Sequence, residues 1–274
     1  MICGDFGTPQ IADLQNYVFE VIIIHMLEFY TELKKNLGLA DAAIEYLEFC
    51  TRYAQRNSVN LESDIKAVGI NFNYAEIKNI RKMPYQMYII TAYSALDSFL
   101  SSFRSFLEKY LDIQCKDGSG SLLQIVLEGV KTKYDCTSIL DSFPYFAISY
   151  YRLLRNNFVH HGAKSIDDIK VAFASMERHS SWNKMKSRYV IKANDASFDD
   201  FILFSKCILD FADLLIKVVL GDKKDLVKKI DFSALKKFEN KDSRLKSAKI
   251  QKIVTEMHVT KTDAEYLLAG CSLL

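Results

Sequence analysis

The sequence predicts an all-α protein, and three observations support this class. Its 274 residues include only 10 glycines and 3 prolines, which is too few tight-turn residues for a chain of many short strands. Apolar residues recur every three or four positions over several long stretches, which is the spacing of amphipathic helices. Hydrophobic residues make up 49% and charged residues 26% of the chain, the balance of a globular protein with a substantial core.

The first two predicted helices occupy residues 11–36 and 40–56. The first of them carries apolar residues at helical spacing: Ile11, Leu14, Val18, Val21, Ile22, Met26, Phe29 and Leu33. Gly38 is expected to end this helix, because glycine favours the backbone conformation found just after a helix C-terminus. Residues 57–80 contain several asparagines and predict looser helix and turns.

The clearest helix begins near Pro84, since proline suits a first helical turn. Its apolar stripe runs without interruption through Ile89, Ala92, Leu96, Phe99, Phe103, Phe106 and Tyr110. Shorter helices are predicted over residues 122–130, 145–158 and 165–180. The middle one follows Pro144 and leads into a pair of histidines.

The C-terminal half predicts one strand-like stretch and then more helices. Residues 188–192, Arg-Tyr-Val-Ile-Lys, have the composition of a short strand. Ser197 and Asp200 have the spacing of a capping box and predict the start of a long helix that stops at Gly221. Residues 247–268 predict two short helices joined at 259–260. We therefore expect a helical bundle over residues 1–220 and a small basic helical appendage over 221–274.

The net charge of +2 does not by itself indicate a nucleic-acid-binding protein, but the charge is uneven. Residues 222–252 contain 11 lysines and arginines against 5 acidic residues, a local charge of +6. Two interpretations stay open for this tail: a solvated helical surface, or a contact face for RNA or an acidic partner.

The cysteines and the N-terminus indicate an intracellular setting. The chain has six cysteines, with no C-x-x-C pair and no zinc-ligand spacing: Cys3, Cys50, Cys115, Cys136, Cys207 and Cys271. We expect reduced thiols and no metal or cofactor. No basic segment precedes an apolar run at the N-terminus, and the most apolar stretch, 17–27, is too short to span a membrane. A soluble, cytoplasmic protein is expected.

The segment richest in side chains that can take part in catalysis is Arg155-Asn156-Asn157-Phe158-Val159-His160. Arginine is permanently cationic and presents a planar fork that matches phosphate oxygens, whereas histidine titrates near neutrality and transfers protons. Asparagine amides hold a phosphate oxygen or fix the imidazole tautomer. RNA supplies its own nucleophile, the 2′-hydroxyl, so these groups are sufficient for phosphodiester cleavage without a metal.

Helix geometry limits how one copy of the chain can use this segment. Side chains five residues apart on a regular helix point about 140° away from each other, so Arg155 and His160 do not converge on one phosphate. A distortion at the Asn pair, or an Arg155 side chain that curls back, would bring them closer. Asn156 and His160 are four residues apart and share a face, which Arg152 extends.

The context of this segment resembles the HEPN superfamily, named for higher eukaryotes and prokaryotes nucleotide-binding domains. The segment is similar to the Arg-x4-6-His motif of that superfamily, including the frequent Asn after Arg. Residues 88–100, Tyr-Ile-Ile-Thr-Ala-Tyr-Ser-Ala-Leu-Asp-Ser-Phe-Leu, resemble its long helix, where Asp97 occupies the acidic position. The resemblance covers roughly residues 80–220, with the N-terminal helices as additional members of the bundle.

The resemblance implies a helical dimer that acts as a metal-independent endoribonuclease in toxin–antitoxin, abortive-infection or antiviral defence systems. Arg155 would stabilise phosphate charge, His160 would be the general acid or base, and Asn156 would position the substrate or His160. Two motifs would meet across the dimer interface. Asp97 is expected either to orient Arg155 or His160, or to form a local ion pair with Arg104. His161 is the alternative to His160.

Two further functions stay open. The chain is alternatively a non-catalytic, HEPN-like dimeric module that binds RNA or a partner protein, with an idle motif. It is also a candidate for a helical protein that a partner nucleotidyltransferase modifies. For the nuclease interpretation, the expected partners are RNA and an antitoxin or another defence-system protein.

Overall fold

The all-α class is confirmed within the part of the chain that the computed structural model describes: residues 11–57, 63, 67–69, 82–116, 118, 120–160, 166–221, 242–257, 261, 264–265 and 268. This part forms nine helices and no strand: α1 (Ile11–Arg56), α2 (Met83–Tyr110), α3 (Leu122–Lys131), α4 (Thr137–Leu140), α5 (Phe143–Val159), α6 (Ile166–Arg178), α7 (Trp182–Lys186), α8 (Phe198–Leu220) and α9 (Asp242–Met257). Helices α2, α5 and α8 pack against one another, and α1 lies against α2 and α8.

The first helix is longer than the sequence predicts, because Gly38 does not end it. Leu33, Leu37 and Ile44 lie before and after the glycine on one face and are at most 4% exposed, so the helix packs into the core on both sides of it. A glycine inside a helix costs about 1 kcal/mol relative to alanine, which this packing outweighs. The predicted boundary at 36–40 is therefore wrong, whereas the end at Arg56 is confirmed.

Polar side chains join α1 to the rest of the bundle. The carboxylate of Asp41 accepts hydrogen bonds from the Tyr88 hydroxyl on α2 at 2.9 Å and from the Ser205 hydroxyl on α8 at 3.0 Å. Burial raises the pKa of Asp41, and the two hydrogen bonds oppose that rise. Further along α1, the Glu48 carboxylate accepts a hydrogen bond from the Tyr85 hydroxyl. These contacts fix the rotation of α1 about its axis.

Helix α8 begins at the predicted capping box. The Ser197 hydroxyl accepts a hydrogen bond from the Asp200 amide at 3.3 Å, and the Asp200 carboxylate accepts one from the Ser197 amide at 3.0 Å. The strand predicted at 188–192 is wrong. The amide of Val190 donates to the Asp199 carboxylate at 2.7 Å instead of to a neighbouring strand. A strand-like composition without a second strand to pair with does not make a sheet.

Within the predicted C-terminal appendage, residues 221–274, the structure describes helix α9, which contacts α1, as well as residues 221, 261, 264–265 and 268. It begins at Asp242, earlier than the predicted start at residue 247. Ile250 and Ile253 are buried, so this helix has an apolar face that is covered. The predicted joint at 259–260 lies outside the described residues.

Candidate functional site

The motif segment Arg155–Val159 forms the last turns of α5. The helix begins where the Ser142 hydroxyl accepts a hydrogen bond from the Tyr145 amide at 3.3 Å, with Pro144 in the first turn. It ends at Val159, and the His160 amide still donates to the Asn156 carbonyl at 3.0 Å. The helix therefore runs regularly through the Asn pair, without the distortion that would bring Arg155 and His160 together.

Two buried tyrosines determine which face of α5 points outward. The Tyr151 hydroxyl donates to the Asp200 carboxylate at 2.9 Å, and the Tyr150 hydroxyl donates to the Lys192 carbonyl at 3.4 Å. Both rings are fully buried. Because Arg155 follows Tyr151 by one turn, the direction of its side chain is set by a hydrogen bond in the core.

Arg155 is half-buried and lies between α5 and α2. Its Nη1 donates to the Asn156 Oδ1 at 3.1 Å, and its Cζ lies 5.9 Å from the centroid of the Tyr93 ring. Such a cation–π contact contributes about 0.5–2 kcal/mol, more as water is excluded. The Nε of Arg155 and the hydroxyl of Tyr93 are buried and have no hydrogen-bond partner among the described residues. The guanidinium therefore keeps donor capacity that the described fold does not use.

Asp97 lies on α2 within the electrostatic reach of Arg155. Burial raises the pKa of Asp97, and the positive charge of Arg155 opposes that rise. Arg104, the alternative ion-pair partner, instead donates to Glu108 at 3.0 Å and to the Cys115 carbonyl at 2.8 Å. This geometry favours the interpretation of Asp97 as a neighbour of Arg155 rather than of Arg104.

Arg152 belongs to the same group of side chains. Burial raises the pKa of Tyr93 well above its ordinary value, and so does the charge of Asp97, whereas Arg152 and Arg155 lower it. Four charged or polar side chains from two helices, Tyr93, Asp97, Arg152 and Arg155, thus influence one another. The sequence prediction brought Arg152, Arg155 and Asp97 into one site but gave Tyr93 no role.

His160 lies at the end of α5 and is exposed. The described structure gives its side chain no hydrogen-bond or ion-pair partner, and it does not place the imidazole against Arg155. Asn156 connects the two residues: its side chain holds Arg155, and its carbonyl accepts the His160 amide. His161 lies outside the described residues. One copy of the chain thus brings Arg155 and Asn156 together but leaves His160 separate.

Asn157 connects the motif to the segment that precedes α8. Its side-chain amide donates to the Asn194 Oδ1 at 3.4 Å. Asn194 has a positive φ of 60°, a conformation that asparagine tolerates better than most residues. Nearby, Lys82 at the start of α2 forms an ion pair with Asp195 at 2.9 Å. The loop between α7 and α8 is thus tied both to the motif helix and to α2.

Asp200 has a second role that the sequence pattern did not indicate. It was predicted as a helix cap, and it is one, but it is also 1% exposed and accepts the Tyr151 hydroxyl. Burial raises its pKa to about 6, although the hydrogen bonds from Ser197 and Tyr151 oppose that rise. The Tyr-Tyr pair before the motif was the available signal, because a buried tyrosine hydroxyl requires a partner.

The described residues hold no group of three or more His, Cys, Asp or Glu side chains arranged to bind a metal ion. No helix in the described ranges is both long and apolar enough to cross a bilayer. The four cysteines within those ranges, Cys50, Cys115, Cys136 and Cys207, are free thiols. Comparison with protein-family models, with curated proteins and with solved structures finds no match for the chain.

Proposed function

We propose that this protein is a metal-independent endoribonuclease of the HEPN type, acting as a homodimer in a toxin or antiviral defence system. RNA is its substrate, and an antitoxin or defence-system protein is the expected partner that controls it. Arg155, Asn156 and His160 form the catalytic group, and Asp97 and Arg152 support it.

The proposed reaction uses the 2′-hydroxyl of the RNA as the nucleophile. One His160 imidazole takes the 2′-hydroxyl proton while the 2′-oxygen attacks phosphorus. The bond between phosphorus and the 5′-oxygen then breaks, and an imidazolium donates a proton to that leaving oxygen. The products are a 2′,3′-cyclic phosphate and a 5′-hydroxyl. Arg155 stabilises the additional negative charge that develops on the phosphorane.

The observation that supports this proposal is the state of Arg155. Its guanidinium is held in place by Asn156, backed by the Tyr93 ring, and still has a buried Nε without a partner among the described residues. A preorganised cation is what anion stabilisation requires, and the half-buried Arg155 keeps part of its surface accessible to a phosphate. The exposed His160 carries the second function, proton transfer.

The geometry of α5 supports the proposed homodimer. Because the helix is regular, His160 and Arg155 of one copy point in different directions. A second copy supplies another imidazole and another guanidinium, so base, acid and anion-binding groups can come from two chains. One histidine then accepts the proton of the 2′-hydroxyl as the base, and the other donates a proton to the 5′-oxygen as the acid.

The test is RNA cleavage in the presence of EDTA. We expect wild-type protein to cleave RNA and to leave 2′,3′-cyclic phosphate ends, and we expect His160→Ala to lose at least about a hundredfold in rate. The matched control is Arg178→Ala, an exposed position on α6 that should retain full activity. Full activity in His160→Ala, or no cleavage by the wild type, contradicts the proposal.

The second candidate function is a non-catalytic binding module. It is favoured by a specific observation, the large apolar side chains that α1 exposes, since monomeric proteins rarely expose extended apolar patches. Salt-sensitive RNA binding, or stable protein association, without cleavage would support this function over the nuclease.

A further inference from the structure

A second apolar stripe runs along the outer face of α1. It consists of Leu39, Ala42, Tyr46, Phe49 and Tyr53, which recur at alternating steps of three and four residues. Leu39 is 77% exposed, and the three aromatic members are 61–68% exposed. The residues that bury α1 in the bundle, such as Leu37 and Ile44, lie on the opposite side of the helix. We call these five residues the α1 seam.

The alternating spacing is that of a two-stranded coiled coil. Leu39, Tyr46 and Tyr53 occupy one position of the seven-residue repeat, and Ala42 and Phe49 occupy the other. A helix that only packs into its own bundle needs one such stripe, and α1 already has one on its buried face. The second stripe therefore indicates a contact with another helix.

The exposed surface of the seam is large enough for a major part of a specific interface. Three aromatic side chains at these exposures, together with Leu39, present on the order of 500 Å². A standard protein–protein interface takes about 800 Å² from each partner, and the flanking side chains would contribute the rest. Aromatic residues are also enriched at the centres of interfaces.

The sizes of the seam residues favour an antiparallel pair of α1 helices. If the two-fold axis passes between residues 47 and 48, Tyr46 packs against the partner's Phe49, and Tyr53 packs against the partner's Ala42. A large side chain then meets a small one at each end of the aromatic layer. In a parallel pair, each residue would instead face its own copy, so that Ala42 would leave a gap.

The charges beside the seam favour the same arrangement. Glu45 and Arg52 are exposed and lie on one flank, each one residue before a tyrosine of the seam. With the axis between residues 47 and 48, Glu45 lies near the partner's Arg52 on that flank, and the symmetry repeats this ion pair. In a parallel pair, Glu45 would lie near the uncharged Cys50 of the partner subunit, and Arg56 would face its own copy.

Arg52 holds its guanidinium against its own chain, with its Cζ 5.6 Å from the centroid of the Phe198 ring. Its Nε donates to the Glu48 carboxylate at 2.6 Å within the same chain. A guanidinium has five N–H donors, so this bond leaves others for a second carboxylate. The ion pairs at exposed positions select the direction of pairing more than they strengthen it, because such pairs contribute little to affinity.

We propose that the α1 seam is the interface for a second copy of this chain, paired antiparallel about a two-fold axis between residues 47 and 48. The aromatic side chains form the centre of the contact, and Glu45 with the partner's Arg52 fixes its direction. The contact is isologous, since each copy contributes the same surface.

This interface is independent of the proposed nuclease site. The seam lies on α1, whereas Arg155 and Asn156 lie on α5. If both interfaces form, two different two-fold contacts assemble the chain into a tetramer or a longer array. If only the seam pairs, the chain is a dimer without RNA cleavage. Failure of one proposal therefore leaves the other intact.

The first experiment measures the mass of the full-length protein in solution, by light scattering or sedimentation equilibrium. We expect Phe49→Glu to lower the mass of the wild-type assembly by at least half and to raise its dissociation constant at least about tenfold. Val171→Glu is the matched control, since Val171 is as exposed as Phe49 but lies on α6. A monomeric wild type, or an assembly that Phe49→Glu leaves unchanged, overturns the proposal.

The second experiment tests the direction of pairing and separates interface loss from damage to the fold. One variant carries Glu45→Arg, and the other carries Arg52→Glu. Each variant alone is expected to self-associate with a dissociation constant at least about tenfold higher than that of the wild type. Residues 45 and 52 then carry the same charge, so the flanks of the two copies repel each other. An equimolar mixture is expected to recover the wild-type mass, because the two flanks attract each other. Failure of the mixture to associate, while both variants keep their helical circular dichroism, overturns the antiparallel arrangement.

The third experiment uses a native thiol. Cys50 is exposed at the edge of the seam, whereas the other described cysteines, Cys115, Cys136 and Cys207, are buried. In an antiparallel pair the two copies of Cys50 lie on the same side of the seam, and in a parallel pair they lie on opposite sides.

With Cys3→Ser and Cys271→Ser in place, a short bismaleimide is therefore expected to join two chains through Cys50. The same reagent should not join chains that also carry Phe49→Glu. Equal cross-linking in both proteins, or none in the protein with an intact seam, would count against the proposal.

Discussion

The guanidinium of Arg155 lies over the ring of Tyr93, and each of the two side chains has one buried polar atom without a described partner. The Nε of Arg155 is a donor, and the Tyr93 hydroxyl both donates and accepts. A buried polar atom that is left unpaired costs about 1–3 kcal/mol. Polar atoms that lack a hydrogen-bond partner in this way are expected where an anionic ligand binds and completes the hydrogen-bond network.

Arg155→Lys tests whether the planar fork is required. Lysine keeps the charge but cannot present parallel N–H donors, so we expect RNA cleavage to fall at least about a hundredfold. The free energy of unfolding in urea should change by less than about 1 kcal/mol, since the charge and most of the stem remain. Arg178→Lys on α6 is the control. Equal loss of activity in both variants would show that Arg155 has no special role.

Tyr93→Phe removes the hydroxyl that has no described partner. We expect the free energy of unfolding to stay the same or to rise by up to about 1 kcal/mol, because a buried hydroxyl without a partner is replaced by a ring hydrogen atom. Tyr151→Phe is the matched comparison, since it deletes the donor to the buried Asp200 carboxylate. That change should destabilise by about 1–3 kcal/mol. Urea denaturation of both variants measures the difference, and a reversed order would contradict the described hydrogen bonds.

Asp200 predicts a specific pH dependence of stability. Its pKa is about 6 in the folded protein against 3.8 as the ordinary value, so between these two pH values the folded state binds more protons than the unfolded state. Stability therefore falls as the pH rises from about 4 to 6, by about 3 kcal/mol at most, and this contribution is constant above that window.

The measurement for Asp200 is urea denaturation across that window, with Asp200→Asn as the reference. The variant has no titrating group at this position, so subtracting its pH profile isolates Asp200 from the other carboxylates. We expect the difference between the two proteins to change with pH between about 4 and 6 and to be flat from about pH 7 to 8. Parallel profiles over the whole range would show that the Asp200 pKa is not raised.

Gly38 and Gly129 predict opposite effects of the same substitution. Gly38 lies inside α1, and a Cβ atom added there would meet nothing within 4 Å, so Gly38→Ala should stabilise the protein by about 0.5–1 kcal/mol. At Gly129 a Cβ would lie 2.5 Å from the Cys115 sulfur. Gly129→Ala should therefore destabilise, as overpacked substitutions do by about 1–3 kcal/mol. Thermal unfolding of the two variants measures both signs.

Much of the helical architecture was predictable because the deciding information is local. The stripe on α2 and the capping box at Ser197 are patterns of a few neighbouring residues, and both are confirmed. Gly38 was misleading because helix continuity there depends on packing against α2 and α8, which a local pattern does not contain. Residues 188–192 were misleading because a strand requires a second strand.

The candidate site was predictable only in part. The sequence placed Arg155 and Asn156 one residue apart, but their hydrogen bond and the Tyr93 ring beneath the guanidinium depend on how α2 meets α5. The direction of Arg155 toward α2 depends on a bond between Tyr151 and Asp200, which are 49 residues apart. Relationships across that separation are set by tertiary packing, which periodicity does not reveal.

The bond between Tyr151 and Asp200 has a genetic consequence. Because it anchors α5 one turn before the arginine, a lesion at the start of α8 rotates or loosens the motif without changing any residue of the motif. If the proposed nuclease activity is toxic to cells, a selection for survivors of its expression should therefore recover inactivating mutations that cluster in two places on the gene. One is the codons for 155–160, and the other is the codons for Ser197 and Asp200.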